Sequence, residues 1–527
     1  MQNKIQESYD YVIIGSGFGG SVSALRLSEK GYKVLVIEKG KWWKPQDFPD
    51  TNWNLRKWMW LPSMRFYGFF KMTFMKHVGI LSGVGVGGGS LVYANTLPRP
   101  RKAFFNTGSW KGLTDWQKDL EPFYKTAEKM LGAARNPQLF DADLALKEVA
   151  KKMGYEKEFK PTDAAVYFGE PEVTVPDPFF NGEGPDREGC RFCGACMTGC
   201  RYNAKNTLDK NYLYLAIKKG TTVLAEHKVT DVRPLGKADG SEGYSITFKK
   251  STGISNTHPR QVKARGVIFS GGVLGTVRML LEMKNKGLPN LSPQVGNDIR
   301  TNNESLILVH SPERKKDFSK GIAIGSIFPP DEDSHVEPVR YGSGSGFFKL
   351  MGVPLTFGKN GWSRSGKLLK HLITKPKSWL RIYLSKNFAE ESLILLFMQH
   401  LDSTLRFNLG TFNMKSSVST GKAPSSFIAR AKELADYTSQ VIKGKPFVMT
   451  TEALFGIPTT AHILGGAVIG DTPETGVIDK QHKVFGYKNL LVCDGSAISA
   501  NPGVNPSLTI TAMTERAMSF IPDKRKE

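Results

Sequence analysis

One turn near the N-terminus limits what this chain can fold into more than any other stretch. Four β-prone residues, Tyr11-Val-Ile-Ile, run into Gly15-Ser-Gly17-Phe18-Gly19-Gly20. A helical pattern follows, with Val22, Leu25 and Leu27 as its apolar positions. Lys33-Val-Leu-Val-Ile-Glu38 then reads as a second buried strand ending in a carboxylate. Strand, glycine turn, helix, strand and acid together predict a dinucleotide-binding βαβ unit. Gly15 permits the sharp turn, Gly17 lets the backbone approach a pyrophosphate, and Gly20 lets helix and strand pack closely. The helix N-terminus adds free N–H groups and a partial positive charge. Glu38 falls 18 residues after Gly20, where a carboxylate accepts hydrogen bonds from a ribose. The alternative is an ordinary Gly-rich turn of an α/β protein, against which the flanking strands and Glu38 weigh.

A second glycine cluster occupies Gly83-Val-Gly85-Val-Gly87-Gly88-Gly89-Ser90, continuing to Tyr93-Ala-Asn95. Such a run cannot sustain a helix or strand interior. It suits backbone passing close to a flat or phosphorylated ligand. The interleaved Val84, Val86, Leu91 and Val92 argue against a flexible linker. Gly266-Val-Ile-Phe-Ser-Gly271-Gly272 and the helical pattern after it repeat strand, glycine turn and helix, returning the chain to the nucleotide domain. Near the C-terminal end, Leu490-Leu-Val-Cys-Asp494-Gly495 reads as a strand ending in an acid. Asn505-Pro506-Ser507 opens the last helix, whose N-terminus would present N–H groups to negative charge.

The 527 residues suffice for a large core, and with glycine motifs at both ends they point to two intertwined domains. Between these lie helices over residues 114–155, starting with Thr114 as the N-cap before Asp115. Lys and Arg number 72 against 49 Asp and Glu, a formal net charge of +23 that draws the chain to anionic surfaces. Phospholipid, nucleic acid and acidic proteins are such surfaces; no nucleic-acid module is visible to favour the second, so transient contact with an anionic membrane is expected and nucleic acid is not. Residues 1–8 show no signal-peptide pattern. The longest apolar run, Leu393-Ile-Leu-Leu-Phe-Met398, is far short of a membrane span.

Two aromatic and basic stretches stand out. Residues 42–77 hold Trp42, Trp43, Trp53, Trp58 and Trp60, and from Thr51 to His77 there is no carboxylate. A segment covering the nucleotide site and a membrane-facing lid both fit. Between Phe347 and Ala389 there are nine Lys or Arg and no Asp or Glu, with aromatic and leucine residues interleaved. This fits an anionic membrane interface, or else a solvated basic face over an ordinary core.

Four of the five cysteines, Cys190, Cys193, Cys196 and Cys200, lie within eleven residues. That excludes a distributed disulfide framework and points to a reducing, cytoplasmic compartment. The spacing is that of a ferredoxin run, so four thiolates here can hold an iron–sulfur cluster or zinc. A loop of free or partly paired thiols is the alternative.

The motifs Gly15-x-Gly17-x-x-Gly20 with Glu38, Gly85-Val-Gly87-Gly88-Gly89-Ser90, His462-x-x-Gly465-Gly466, Asp494-Gly495 and Gly503-Val-Asn505-Pro506 stand in one order along the chain. As a set the chain resembles the glucose–methanol–choline (GMC) flavin oxidoreductases over nearly its whole length, in the bacterial cholesterol oxidase branch. Cys196-Met-Thr-Gly-Cys200 and Ala204-Lys-Asn-Thr-Leu look like the mycobacterial-type members. The resemblance implies the α/β GMC fold: a Rossmann-like FAD-binding domain interwoven with an α+β substrate-binding domain on an antiparallel sheet. It implies FAD-binding parts at 1–100, 206–300 and 456–527, a helical and cysteine-rich covering segment at 101–205, and a substrate-binding domain at 301–455.

It also implies FAD-dependent oxidation of a sterol or steroid 3β-hydroxyl to the ketone, with hydride passing to flavin N5 and electrons to oxygen. A GMC dehydrogenase of another apolar alcohol with a different acceptor is the alternative; a flavoprotein without alcohol chemistry is a third reading. By motif, Gly15, Gly17, Phe18, Gly19, Gly20 and Glu38 meet the ADP half. Gly85, Gly87, Gly88, Gly89, Ser90 and Asn95 lie along pyrophosphate and flavin, Val229 meets the adenine, and Gly271, Asp494, Gly495, Pro506 and Ser507 approach the flavin half. His462 and Asn505 correspond to the family's catalytic pair, the imidazole positioning the hydroxyl or taking its proton. Two departures are visible. Ile463 stands where cholesterol oxidases usually have Pro. The acid for steroid isomerisation has no clear position: Asp402 is the nearest candidate and Glu452 another, so isomerase activity does not follow.

Overall fold

Residues 8–37 form the βαβ unit in a computed structural model that describes residues 5–253, 258–311, 316–356, 361–401, 403–411, 413–421, 423–425 and 427–524. Strand Ser8–Ile14 pairs in parallel with Val34–Ile37, Ile14 lying opposite Ile37. On its other side it pairs in parallel with Arg260–Phe269, Ile14 opposite Phe269. Thr222–Leu224 extends the sheet beyond Val34–Ile37, and Leu490–Val492 extends it beyond Arg260–Phe269. The antiparallel pair His227–Pro234 and Tyr244–Lys250 completes seven strands. Val12, Ile13, Leu35, Val36 and Ile268 are fully buried, which is why these strands read as unbroken apolar runs instead of alternating ones. The ends of the parallel strands gather at one edge, at Ile14, Ile37, Phe269 and Val492. A crevice outside such an edge is where open α/β sheets hold ligands.

Helix Phe18–Glu29 packs against helices Tyr212–Lys218 and Ser507–Ser519. The Arg26 guanidinium donates to both carboxylate oxygens of Glu515 at 2.7 and 2.8 Å, and Tyr212 Oη donates to the same carboxylate at 2.6 Å. Helix Trp116–Leu131 buries Trp116, Leu120, Tyr124, Ala127 and Leu131, one face at helical spacing. Its cap is Asp115, one residue beyond the expected Thr114: the Asp115 carboxylate accepts from Lys118 N at 3.1 Å.

The second sheet is antiparallel throughout. Its five strands lie in the order Ser334–Val339, Ser392–Gln399, Ser305–His310, Lys445–Met449, Gly352–Pro354. Alternation along the central strands separates two apolar faces. Ile307, Val309, Leu393, Leu395 and Phe397 pack under helices Asp141–Lys152 and Ala429–Val441. Leu306, Leu308, Ile394 and Leu396 face the opposite way, into a cavity. The apolar run noted in the sequence is thus a central strand apolar on both sides.

The tryptophan-rich segment covers this cavity and the groove beside it. Trp58 is fully buried and stacks on Phe70 with ring centroids 4.4 Å apart, and Trp43 and Phe48 close around Phe69. Trp42 and Trp53 stay exposed. Among the described residues, no helix is long and apolar enough to cross a membrane.

Candidate active site

The first glycine turn is built by close backbone approach. Gly15 has φ of +101°, and a Cβ there would stand 2.4 Å from the Ser270 carbonyl oxygen, so no other residue fits. A Cβ on Gly17 would meet nothing within 4 Å, because it would point into the open groove. Phe18, Gly19, Glu38, Val229, Gly271, Asp494, Gly495, Pro506 and Ser507 line the same groove, as do Gly88 and Gly89 from the second cluster. Glu38 is held ready: it accepts from Ser16 N at 3.1 Å, Ser16 Oγ at 2.8 Å and Gly40 N at 2.8 Å. Gly20, Gly85, Gly87, Ser90 and Asn95 do not line the groove. Gly20 backs onto Gly15, the Ser90 hydroxyl ties Gly87 O to Leu208 N, and Asn95 takes a left-handed turn at φ 69°.

Lys39, Lys71, Lys228 and Arg278 crowd one end of the groove. Burial and then repulsion from its cationic neighbours push the Lys71 ammonium down to about 7, and burial lowers Lys39 and Lys228 too. Cations held together at this cost match a ligand that brings phosphate charge. The Asn505 Oδ1 and Ser507 Oγ atoms, both buried at the far end, have no hydrogen-bond partner among the described residues. Glycine turn, ribose-type acid, cation cluster and orphan polar atoms thus fit a dinucleotide running along one groove.

The groove opens without a break into the apolar chamber on the antiparallel sheet, a continuous cavity of about 690 Å³. His462 and Asn505 stand where the two meet. The short strand Thr459–Thr460 pairs with Gly79–Gly83, and Leu464 exchanges hydrogen bonds with Arg300 at 2.8 and 2.9 Å, so His462 is anchored on both sides. Gly465, with φ of +79°, lets this segment pass against Asp298 and donate to Gly495 O at 2.9 Å. On the other side, Asn302 Nδ2 holds Val504 O at 2.8 Å, which fixes Asn505 ahead of helix Ser507–Ser519. The result sets His462 Nε2 and Asn505 Nδ2 3.4 Å apart. Ile463 lines the cavity next to them.

Two carboxylates complete the site. Glu304, almost fully buried, accepts from Thr460 Oγ1 at 2.6 Å and Ala461 N at 2.9 Å. Its Oε1 lies 2.8 Å from His462 Nδ1, an ion-pair distance although the ring N–H is not aimed along it. Glu337, fully buried, accepts from Asn505 Nδ2 at 3.2 Å and lies 2.8 Å from His335 Nε2. Burial alone would lower the His462 pKa; Glu304, and secondarily Glu337, outweigh it and raise it. A carboxylate beside Nδ1 favours the proton there, leaving the Nε2 lone pair toward Asn505 and the cavity.

These carboxylates are not the ones the sequence suggests. Asp402 lies outside the described residues. Glu452 is fully buried behind the site, where burial pushes its carboxyl up to about 8 and it accepts from Thr459 N at 3.2 Å. The missed signal is an acid inside an apolar strand pattern: Glu304 immediately before Ser305-Leu-Ile-Leu-Val, and Glu337 within His335-Val-Glu-Pro-Val339.

Nothing in the structure supports the iron–sulfur or zinc reading of Cys190, Cys193, Cys196 and Cys200 over the loop of free thiols. All four thiols are free, and among the described residues no group of three or more His, Cys, Asp or Glu is placed to hold a metal ion. The loop turns through left-handed backbone at Phe192, Gly194 and Gly199, and the thiols surround a void of only about 20 Å³ shared with Arg191, Arg201 and Lys205. Burial pushes Cys193 up to about 11 and raises Cys190 and Cys196. The loop is a buttress. Lys205 Nζ, buried, donates to Leu91 O, Tyr93 O and Cys196 O at 2.8–3.0 Å, tying it to the second glycine cluster. Met197 reaches the cavity wall.

Known proteins resemble this chain over nearly its whole length. Residues 13–41 match the model of an NAD(P)-binding Rossmann-like domain, and residues 184–302 and 422–514 match the two models of GMC oxidoreductase. A cholesterol oxidase of Acinetobacter baumannii is 48% identical over 527 residues, 98% of this chain and 95% of that one. A cholesterol oxidase of Mycobacterium tuberculosis is 42% identical over 540 residues, 99% of this chain and 92% of that one. The solved structure of pyridoxine 4-oxidase from Mesorbium loti superposes with a TM-score of 0.61 at 14% identity, over 97% of this chain and 99% of that one, a likeness of fold.

Proposed function

The chain belongs to the GMC oxidoreductase family, and from that premise we propose that it oxidises the 3β-hydroxyl of a sterol or steroid to the ketone with bound FAD. The observation that carries this reading is the pair His462 Nε2 and Asn505 Nδ2, 3.4 Å apart, where a dinucleotide groove becomes an apolar chamber. Gly15, Gly17, Glu38, Gly88, Asp494 and Ser507 would hold the FAD, which supplies a two-electron acceptor. A carbinol carbon gives up hydride only as its O–H proton leaves. His462 Nε2 receives that proton, and the Asn505 amide donates to the substrate oxygen and fixes its position. Glu304 holds the imidazole in the required tautomer. Leu306, Leu308, Ile394 and Leu396 present the alkyl surface that a fused-ring alcohol needs and exclude water from the reacting bond.

The choice of a sterol rests on the two cholesterol oxidases of 42–48% identity over nearly the whole length. The test is aerobic turnover of 3β-hydroxysterols with ketone and peroxide measured together. Equal yields of both are expected. Ketone without peroxide would replace oxygen by another acceptor. Turnover of long-chain or small alcohols but of no sterol would overturn the substrate.

A further inference from the structure

Two consecutive helices, Gly361–Thr374 and Pro376–Leu384, lie along the outside of the antiparallel sheet. Their inner side is packed. Trp379 and Ile382 close with Phe388 on Leu308 and Phe447, with Leu372, Tyr383 and Ile394 around them. Leu308 and Ile394 also line the cavity, so a single layer of side chains separates the helices from it. Tyr383 Oη donates to Gly352 O at 2.9 Å, and Lys349 Nζ to Ser385 O at 2.5 Å, which fastens the pair to the sheet edge.

The outer side is different. Leu369 and Ile373, four residues apart, are 59% and 68% exposed; Leu380 and Leu384, again four apart, are 57% and 68% exposed. The spacing lines each pair up as a ridge. Leu350, on the turn Phe347–Met351 that packs against the second helix, is 60% exposed. Helices that already bury an apolar face have no structural need for a second one. Lys370, Lys375, Lys377, Arg381 and Lys386 flank these ridges and are exposed. The stretch Phe347–Ala389 carries nine Lys or Arg and no acid.

We propose that this helical pair docks on an anionic lipid bilayer, with the leucines and isoleucine among the acyl chains and the basic side chains at the headgroups. Charge selects the occupant. A second copy would press like charges together, and a polynucleotide would leave the apolar ridges in water. Long Lys and Arg stems reach from an apolar contact to the headgroup level, as this arrangement requires. If the substrate is a sterol, the same contact sets the cavity one side-chain layer from where such a molecule resides. The docking itself is read without turnover.

The experiment uses the full chain and sedimentation with vesicles of phosphatidylcholine, with and without phosphatidylglycerol. Binding at least about tenfold tighter to the anionic vesicles, and weakened by salt, is expected. The double variant I373E/L384E should lose it, and K370Q/K377Q/K386Q should lose the salt-sensitive part. Both should keep the melting temperature and the turnover of a detergent-dispersed alcohol. Equal binding to both vesicles, binding to neither, or binding unchanged in I373E/L384E overturns the proposal. So does a dimer, or a complex with an RNA oligonucleotide, that I373E/L384E dissolves. Failure of the sterol reading would appear separately, as absent sterol turnover with the vesicle difference intact.

Discussion

The parallel sheet and the antiparallel sheet meet their ligands in opposite ways. Along the parallel sheet the groove is made by main chain: Gly15 against Ser270, Gly88 against Gly17, and a helix beginning at Ser507. Along the antiparallel sheet the chamber is made by side chains, Leu306, Leu308, Ile394 and Leu396. The first kind of site needs glycine at fixed places, because a Cβ would collide with backbone that cannot yield. The second kind needs only alkyl volume, which many residues supply. One half of the site therefore specifies its ligand class tightly, and the other leaves the substrate open.

Substitutions can break or sharpen that contrast. The largest effect belongs to Gly17→Val. Its Cβ would meet no protein atom within 4 Å, so the fold should survive while flavin absorbance and activity disappear; retained flavin would mean that the dinucleotide does not pass this turn. His462→Ala comes next. It should lower kcat by roughly 10²–10⁴-fold, the worth of a positioned general base, with flavin content unchanged. Loss smaller than tenfold would remove the imidazole from the chemistry.

A pair of neighbours on one strand separates the two faces of the antiparallel sheet. Leu395→Ala, on the helix-covered face, should cost about 2–5 kcal/mol of stability in denaturant unfolding and leave KM alone. Leu396→Ala, on the cavity face, should raise KM by about tenfold and cost less stability. Identical behaviour of the two would deny that the chamber receives the substrate. The smallest effect is expected in a pH profile. The base must be neutral, and its pKa is raised, so kcat/KM should fall on acidification through a value above the ordinary 6.5 of histidine. Glu304→Gln removes the main raising charge and should move that acid limb to lower pH, with the alkaline side little changed. An unmoved limb would show that Glu304 acts only as a structural anchor.

The same division explains what could be read from the amino acids. The βαβ unit, the second glycine cluster and the last helix were legible because steric rules tie glycine to a local shape. His462 and Asn505 were legible through the glycines beside them, Gly465, Gly466 and Gly503. Glu304 and Glu337 were not, since one precedes the strand Ser305–His310 and the other lies in Ser334–Val339, and they meet His462 and Asn505 only after the antiparallel sheet forms. The cysteine run was ambiguous for a related reason. Spacing along a chain does not set the distances between side chains: the four thiols line one void of only about 20 Å³, and among the described residues no group of three or more His, Cys, Asp or Glu is placed to hold a metal ion.

The contact between helices Phe18–Glu29 and Ser507–Ser519, clamped by Arg26 and Glu515, bears on how such a protein is made. The ribosome delivers the earlier helix hundreds of residues before its mate. Until then Val22, Leu25 and the strand beside them wait with one flank bare, and Phe269 waits for Leu490–Val492. Long-range closure of this kind is slow and leaves the nascent chain prone to sticking to its neighbours. Chaperone demand during synthesis is thus built into the same topology that brings the two ends of the groove together.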